Sequence, residues 1–163
     1  KLEALLPLAA EHDAEVVALT MGEEGLPETV EDRLKLTEKM VEAAEEQGVG
    51  KEKLYVDPCV QPLSTNPEQA VAVKESVERI LEEFPGIHAT CGLSNVSFGL
   101  PYRGVLNRLF LAYLIEAGLD SAILDPAEHD MNATILAAEA LCGMDDYCMN
   151  YVTAAREGRL QPE

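Results

Sequence analysis

Basic side chains are scarce in this chain of 163 residues: 12 lysines and arginines face 30 acidic residues, for a formal charge of −18. A binder of phosphate backbones needs a basic face, so that class is excluded. Long hydrophobic runs are missing too. No stretch approaches the roughly 18–20 unbroken apolar residues of a membrane helix, and no membrane association is expected. Tryptophan is absent and aromatics reach only 5 %, yet 47 % of the residues are hydrophobic. That content excludes a disordered acidic tail, and the length suits one domain with a real core. The chain opens at Lys1 in an amphipathic stretch, with neither a signal-peptide pattern nor an initiator Met. The expectation is a processed chain, or one cut from something longer.

The four cysteines, Cys59, Cys91, Cys142 and Cys148, form no C-x-x-C pair and are too sparse for a secreted disulfide scaffold. They read as free thiols in a reducing cytosol, so a cytoplasmic location is expected. A metal reading would rest on Cys59, His88 and Cys91 converging at strand ends. The plainer one is that cysteine packs as a small apolar side chain. The acidity is uneven, at −12 over residues 1–84 and −6 over the rest. Most of it falls on helical faces such as Glu38–Glu46, which read as solvated surface; salt adaptation or an acidic docking face are the alternatives.

Four apolar runs read as buried strands: 15–20, 53–57, 87–92 and 121–125. The first and last are nearly continuously apolar, the pattern of parallel strands covered on both faces. Helical patterns lie between them. One opens at Thr29, with Asp32 placed for a capping box, and stops at Gly48. Others run from Pro67 to Pro85, from Arg103 to Gly118, from Asp130 to Gly143 and from Asp145 to Glu157. A further helix over Leu2–His12 tolerates Pro7 poorly. Strand starts recur every 33 to 39 residues. The architecture is therefore α/β, with four consecutive βα units and parallel strands joined by crossovers. An open doubly wound sheet and half of an eight-stranded barrel both fit. The opening helix favours the C-terminal half of a (βα)8 TIM barrel, because a helix entering the first strand continues an earlier unit.

Ligands gather at the C-terminal ends of parallel strands. Here those ends are Thr20-Met21-Gly22, Asp57-Pro58-Cys59, Gly92-Leu93-Ser94-Asn95 and Asp125-Pro126. The third continues to Arg103 without one acidic residue. Asn95 and Arg103 offer hydrogen bonds to a polar heterocycle, Ser94 and Ser97 offer hydroxyls, and Gly92 lets a flat ring approach the backbone. An ordinary turn with local side-chain bonds fits equally well. Other residues carry plain readings. His12 and His129 are surface residues, and His88, at a strand start, packs. Met21 lines a ring pocket or the core. Asp125 sits at the mouth or caps a turn. Leu109, Phe110, Tyr113 and Leu114 are core or interface.

The run Gly92-Leu93-Ser94-Asn95-Val96-Ser97, then Leu106-Asn107-Arg108-Leu109-Phe110-Leu111-Ala112, then Ala117-Gly118-Leu119-Asp120-Ser121-Ala122-Ile123, resembles the methyltetrahydrofolate:corrinoid methyltransferases. Val17–Met21 and Leu54–Pro58 are similar to the same family, in the same order, so the likeness covers essentially the whole chain. The resemblance implies a pterin-binding barrel of the dihydropteroate synthase-like type, of which residues 1–163 are a single, incomplete domain. It implies methyl transfer from N5 of methyltetrahydrofolate, the substrate, to cobalt(I) of a corrinoid (cobalamin) on a partner protein, by a homodimer. By the family pattern Asn95 is the catalytic asparagine near N5. Asp57 pairs with the pterin's ring N–H and amino donors, and Gly92, Ser94 and Arg103 line the pocket. No metal is demanded of this chain. Two departures stand out: the family's first four βα units have no counterpart here, and Phe98 replaces a polar residue of some members. An amine nitrogen is a poor leaving group, so a donor that engages N5 more strongly as charge develops favours the transition state. An amide is not itself the acid, and the proton comes from water or another group. A synthase of the dihydropteroate type is the alternative enzyme, but it wants a lysine at these loops and none is there. A non-catalytic half-barrel is the third reading.

Overall fold

A computed structural model describes residues 2–22, 25–127 and 129–160. Three parallel strands, β1 (Val16–Leu19), β2 (Leu54–Asp57) and β3 (His88–Ala89), lie side by side in chain order. The helices are α1 (Leu2–Glu11), α2 (Val30–Glu46), α3 (Gln69–Glu83), α4 (Arg103–Glu116), α5 (His129–Leu141) and α6 (Met149–Arg156).

Local chemistry sets most boundaries. At the start of α2 the Thr29 hydroxyl accepts from the Asp32 amide at 3.1 Å, and the Asp32 carboxylate accepts from the Thr29 amide at 3.0 Å. The expected capping box is thus complete. Past the end of α2, Gly48 has φ +80°, a conformation a side chain rarely adopts. Helix α1 forms despite Pro7, which removes the donor to the residue 3 carbonyl. Burial of Leu6 to 1 % exposure ties α1 to the core and offsets that loss. The last predicted helix is broken. A 3₁₀ turn over Asp146–Cys148 precedes α6, with Tyr147 and Cys148 left-handed, and the buried Asp145 carboxylate accepts from the Asn150 and Tyr151 amides.

Two corrections concern the sheet. The fourth predicted strand is reduced to a single parallel bridge between Gly92 and Ile123, although Ile123 donates to Cys91 O at 2.8 Å in the expected register. Asp125 then closes a turn onto the Ala127 amide, and Pro126 has no donor, so pairing stops. Nor is the sheet covered on both faces. Ala18, Val56, Ala89 and Cys91 are buried against helices, whereas Val17, Leu19 and Ile123 are 52 %, 47 % and 63 % exposed. Five of the six predicted helices form as expected and the sixth is shortened, yet within the described residues no element lies over the second face.

The core is two adjoining clusters. One joins α1, α2, β1 and β2 through Leu6, Leu34, Met40, Val56 and Ile80, the last from α3. The other joins α3, β3, α4 and α5 through Val73, Val77, Cys91, Phe110, Leu114 and Ala138. Helix α3 serves both, and so fixes β2 relative to β3, the two strands whose ends carry the polar residues. Leu109 is 65 % exposed, and Tyr113 lies at the surface with its ring beneath the Lys74 ammonium. Phe110 and Leu114 are core, so the four-residue group divides by helical face.

Candidate functional site

Asp57 ends β2 with only 8 % exposure. Its carbonyl accepts from the Thr20 amide at 2.9 Å and the Thr20 hydroxyl at 3.0 Å, which ties the end of β2 to the end of β1. Its own carboxylate accepts from the Cys59 amide at 2.8 Å. Burial pushes the Asp57 carboxyl above the ordinary range, while amide bonds from Cys59 and Gly92 pull it back. The Gly92 amide therefore joins the end of β3 to this carboxylate.

Beyond Gly92 the chain turns through a 3₁₀ segment, Leu93–Ser97, anchored by the buried Leu93 and Val96. This leaves Ser94 and Asn95 on the exposed side. A Cβ added at Gly92 would stand 3.3 Å from Asn95 Nδ2, so glycine here leaves the carboxamide room. Among the described residues that carboxamide makes no hydrogen bond. Asn95 is thus a free donor, one turn beyond the Gly92 amide that bonds the buried Asp57 carboxylate.

Arg103 and Ser97 bond within the turn itself. The Arg103 guanidinium donates to Ser94 O at 2.8 Å and to Ser97 Oγ at 3.0 Å, and its Cζ lies 6.0 Å from the centroid of the Phe98 ring. Ser97, fully buried, donates to Asn107 Oδ1 at 2.7 Å. This network holds the turn closed, so Arg103 and Ser97 spend their bonds on the loop. Phe98 is 64 % exposed at its rim. Met21 is exposed at the end of β1, and Asp125 makes the local turn already described.

The histidine and cysteines do not form a cluster. His88 stacks on Tyr55 with ring centroids 4.6 Å apart and pairs with Asp120, at the opposite end of the strand from Asp57. Cys91 packs on the helical side, where burial pushes its thiol up to about 12. All four cysteines are free. Among the described residues no three His, Cys, Asp or Glu side chains are grouped to hold a metal. His12 is exposed, as expected, and the side chain of His129 lies outside the described set.

The sequence reading missed Arg33 and Gln69. Arg33 has no exposure, and its guanidinium bonds Pro58 O at 2.7 Å, Gln69 Oε1 at 2.8 Å and Thr29 O at 3.2 Å. One signal could have found it. Positions 30, 33, 34, 37, 40, 41 and 44 form the buried stripe of α2, and Arg33 lies in it.

No helix among the described residues is long and apolar enough to cross a membrane. A family profile described as pterin binding enzyme matches residues 1–125, which contain β1–β3 and the turn at Asn95. The chain is 42 % identical over 164 aligned positions to a methylcorrinoid:tetrahydrofolate methyltransferase of Eubacterium limosum, covering 99 % of this chain and 60 % of that protein. It is 36 % identical over 126 positions to methionine synthases of Mycobacterium leprae and Mycobacterium tuberculosis, covering 73 % of this chain and 10 % and 11 % of theirs. The chain thus spans less than two thirds of the length of each of these relatives.

Proposed function

This chain belongs to the pterin binding enzyme family, and on that premise we propose that it is the pterin-binding part of a methyltransferase. The methyl group moves from N5 of methyltetrahydrofolate to cobalt(I) of a corrinoid carried by a partner protein. The observation that carries this is the unpartnered Asn95 carboxamide against Gly92, whose amide bonds the buried Asp57 carboxylate at the adjoining strand end. A pterin edge offers a ring N–H and an amino group, and an ionised carboxylate accepts from both. Asn95 donates toward N5 and strengthens that bond as charge develops there. Gly92 keeps Asn95 uncrowded, Ser94 lines the same rim, and Arg103 holds the turn that carries both.

The name of the Eubacterium limosum relative puts the methyl group on the corrinoid and makes tetrahydrofolate the acceptor. Transfer between the same two atoms crosses one transition state in either direction, so the same residues serve both.

Architecturally, the chain is half of a barrel. Val17, Leu19 and Ile123, exposed on the uncovered sheet face, belong on its inside. The working protein is a cytoplasmic homodimer, and the corrinoid protein approaches the strand ends. A dihydropteroate-type synthase fits less well, because the strand-end loops carry no lysine.

The test is Asn95→Ala in the full-length protein, followed by the absorbance change from cob(I)alamin to methylcobalamin. Loss of one positioned donor lowers the turnover by about 10²-fold. Unchanged turnover overturns the role of Asn95.

A further inference from the structure

The buried Arg33 is bonded by no carboxylate, although its sequence neighbour Asp32 acts on it through space. Its exposure is zero, and its three acceptors, Pro58 O, Gln69 Oε1 and Thr29 O, are all neutral. Burying a guanidinium is costly, and an apolar residue of similar volume commonly serves stability as well or better. Its position explains what stability does not. The three bonds bring together the first turn of α2, the first turn of α3 and the segment that follows β2. The shortest, at 2.7 Å, goes to Pro58, the residue directly after Asp57.

That segment needs an anchor. Cys59 has φ +56°, a left-handed conformation that a non-glycine residue adopts only when its surroundings dictate it. The Cys59 amide must hold this pose to reach the Asp57 carboxylate at 2.8 Å. Thr20 fixes the carbonyl of Asp57 from one side. Arg33 fixes the carbonyl of Pro58 from the other, and Gln69, itself 1 % exposed, holds Arg33. A lysine ammonium cannot span three divergent acceptors as a planar fork does.

We infer that Arg33 is a positioning residue: braced by Gln69, it clamps the Asp57–Pro58–Cys59 turn and so aims the Asp57 carboxylate at the pterin. This rests on the pterin reading above. Arg33 touches no substrate and acts only through Asp57. Because Asp57 binds the pterin in ground and transition states alike, loosening it weakens binding without slowing the methyl step.

The experiment measures methyltetrahydrofolate Kd, KM and kcat in the full-length protein. The variants are Arg33→Lys, Gln69→Met, Asp57→Asn and the Arg33→Lys/Asp57→Asn pair. Arg33→Lys is expected to raise Kd and KM about tenfold with kcat within about twofold. Gln69→Met, which frees one arm of the same guanidinium, raises Kd about threefold. In the Asp57→Asn background the Arg33→Lys effect on Kd disappears, because both act through one carboxylate. A role in stability alone would lower Tm and leave Kd unchanged, and that result overturns the inference. If Arg33→Lys does not fold, Gln69→Met decides on the same criterion. If Asp57→Asn leaves Kd unchanged, the pterin reading of this site fails instead. If Asp57→Asn weakens binding but Arg33→Lys and Gln69→Met do not, only the clamp fails.

Discussion

A buried carboxylate gives the site a pH signature. The native state holds the Asp57 proton more tightly than the unfolded chain does, because burial raises its carboxyl. Below the ordinary aspartate value of about 3.9 both states are protonated and the group is neutral in its effect. As pH rises through the raised native value, the native state ionises at a cost the unfolded state does not bear, so stability falls. Asp57→Asn, whose amide oxygen still accepts from Cys59, is therefore expected to melt higher than the parent at pH 7, and the gap should close near pH 3. Thermal melts at the two pH values check this. Pterin binding runs the other way, since only the ionised form accepts from two donors. Affinity in the parent is expected to decline on acidification with a midpoint above the ordinary carboxylate range, measured by titration calorimetry. A midpoint at or below that range counts against Asp57 as the acceptor. The placement of Asp57 and Asn95 at strand ends was legible in the sequence, while their roles toward a pterin came from the family resemblance. Arg33 was not, because a cation on an acidic helix reads as solvated unless its place in the buried stripe is checked first. Arg103 was legible as a site residue, but its bonds go to Ser94 and Ser97 rather than outward.

At the scale of elements, boundary chemistry proved the most readable. Thr29, Asp32 and Gly48 bracket α2 as their side chains and backbone freedom require. Thr29→Ala removes the hydroxyl acceptor and is expected to cost about 1 kcal/mol, seen as a lower denaturant midpoint at constant slope. No change in midpoint would mean the cap is redundant with the tertiary packing of Leu34, Met40 and Val41. Strand extent was less readable. A run such as Ser121–Asp125 has the right composition, but a strand exists only where a neighbour supplies a ladder, and here the Asp125 turn and Pro126 end it after one bridge. Pro7 erred in the other direction. Local propensity disfavours α1, and burial of Leu6 overrides it.

For the whole molecule, apolar runs announced burial on two faces, and among the described residues only one face is covered. On the half-barrel reading, Val17, Leu19 and Ile123 are exposed in this chain alone and interior in the complete protein. The triple substitution Val17→Thr, Leu19→Thr and Ile123→Thr should accordingly leave the Tm of the isolated chain nearly unchanged. In the full-length protein it should cost several kcal/mol, about 1.5–3 for each side chain fully buried there. Equal effects in the two contexts would reject the barrel.

Strand β1 stands at the margin of the sheet, with backbone groups on its outer side and Val17 and Leu19 bare on its face. Such a margin is a template for pairing with another chain. The charge of −18 opposes that encounter, since like-charged copies repel while the Debye length is comparable to their approach distance. At about 1 M salt that length shrinks to roughly 3 Å, and the repulsion no longer guards the strand. For this chain alone, then, ionic strength is expected to set its shelf life, with concentrated salt favouring strand-to-strand aggregation that dilute buffer suppresses.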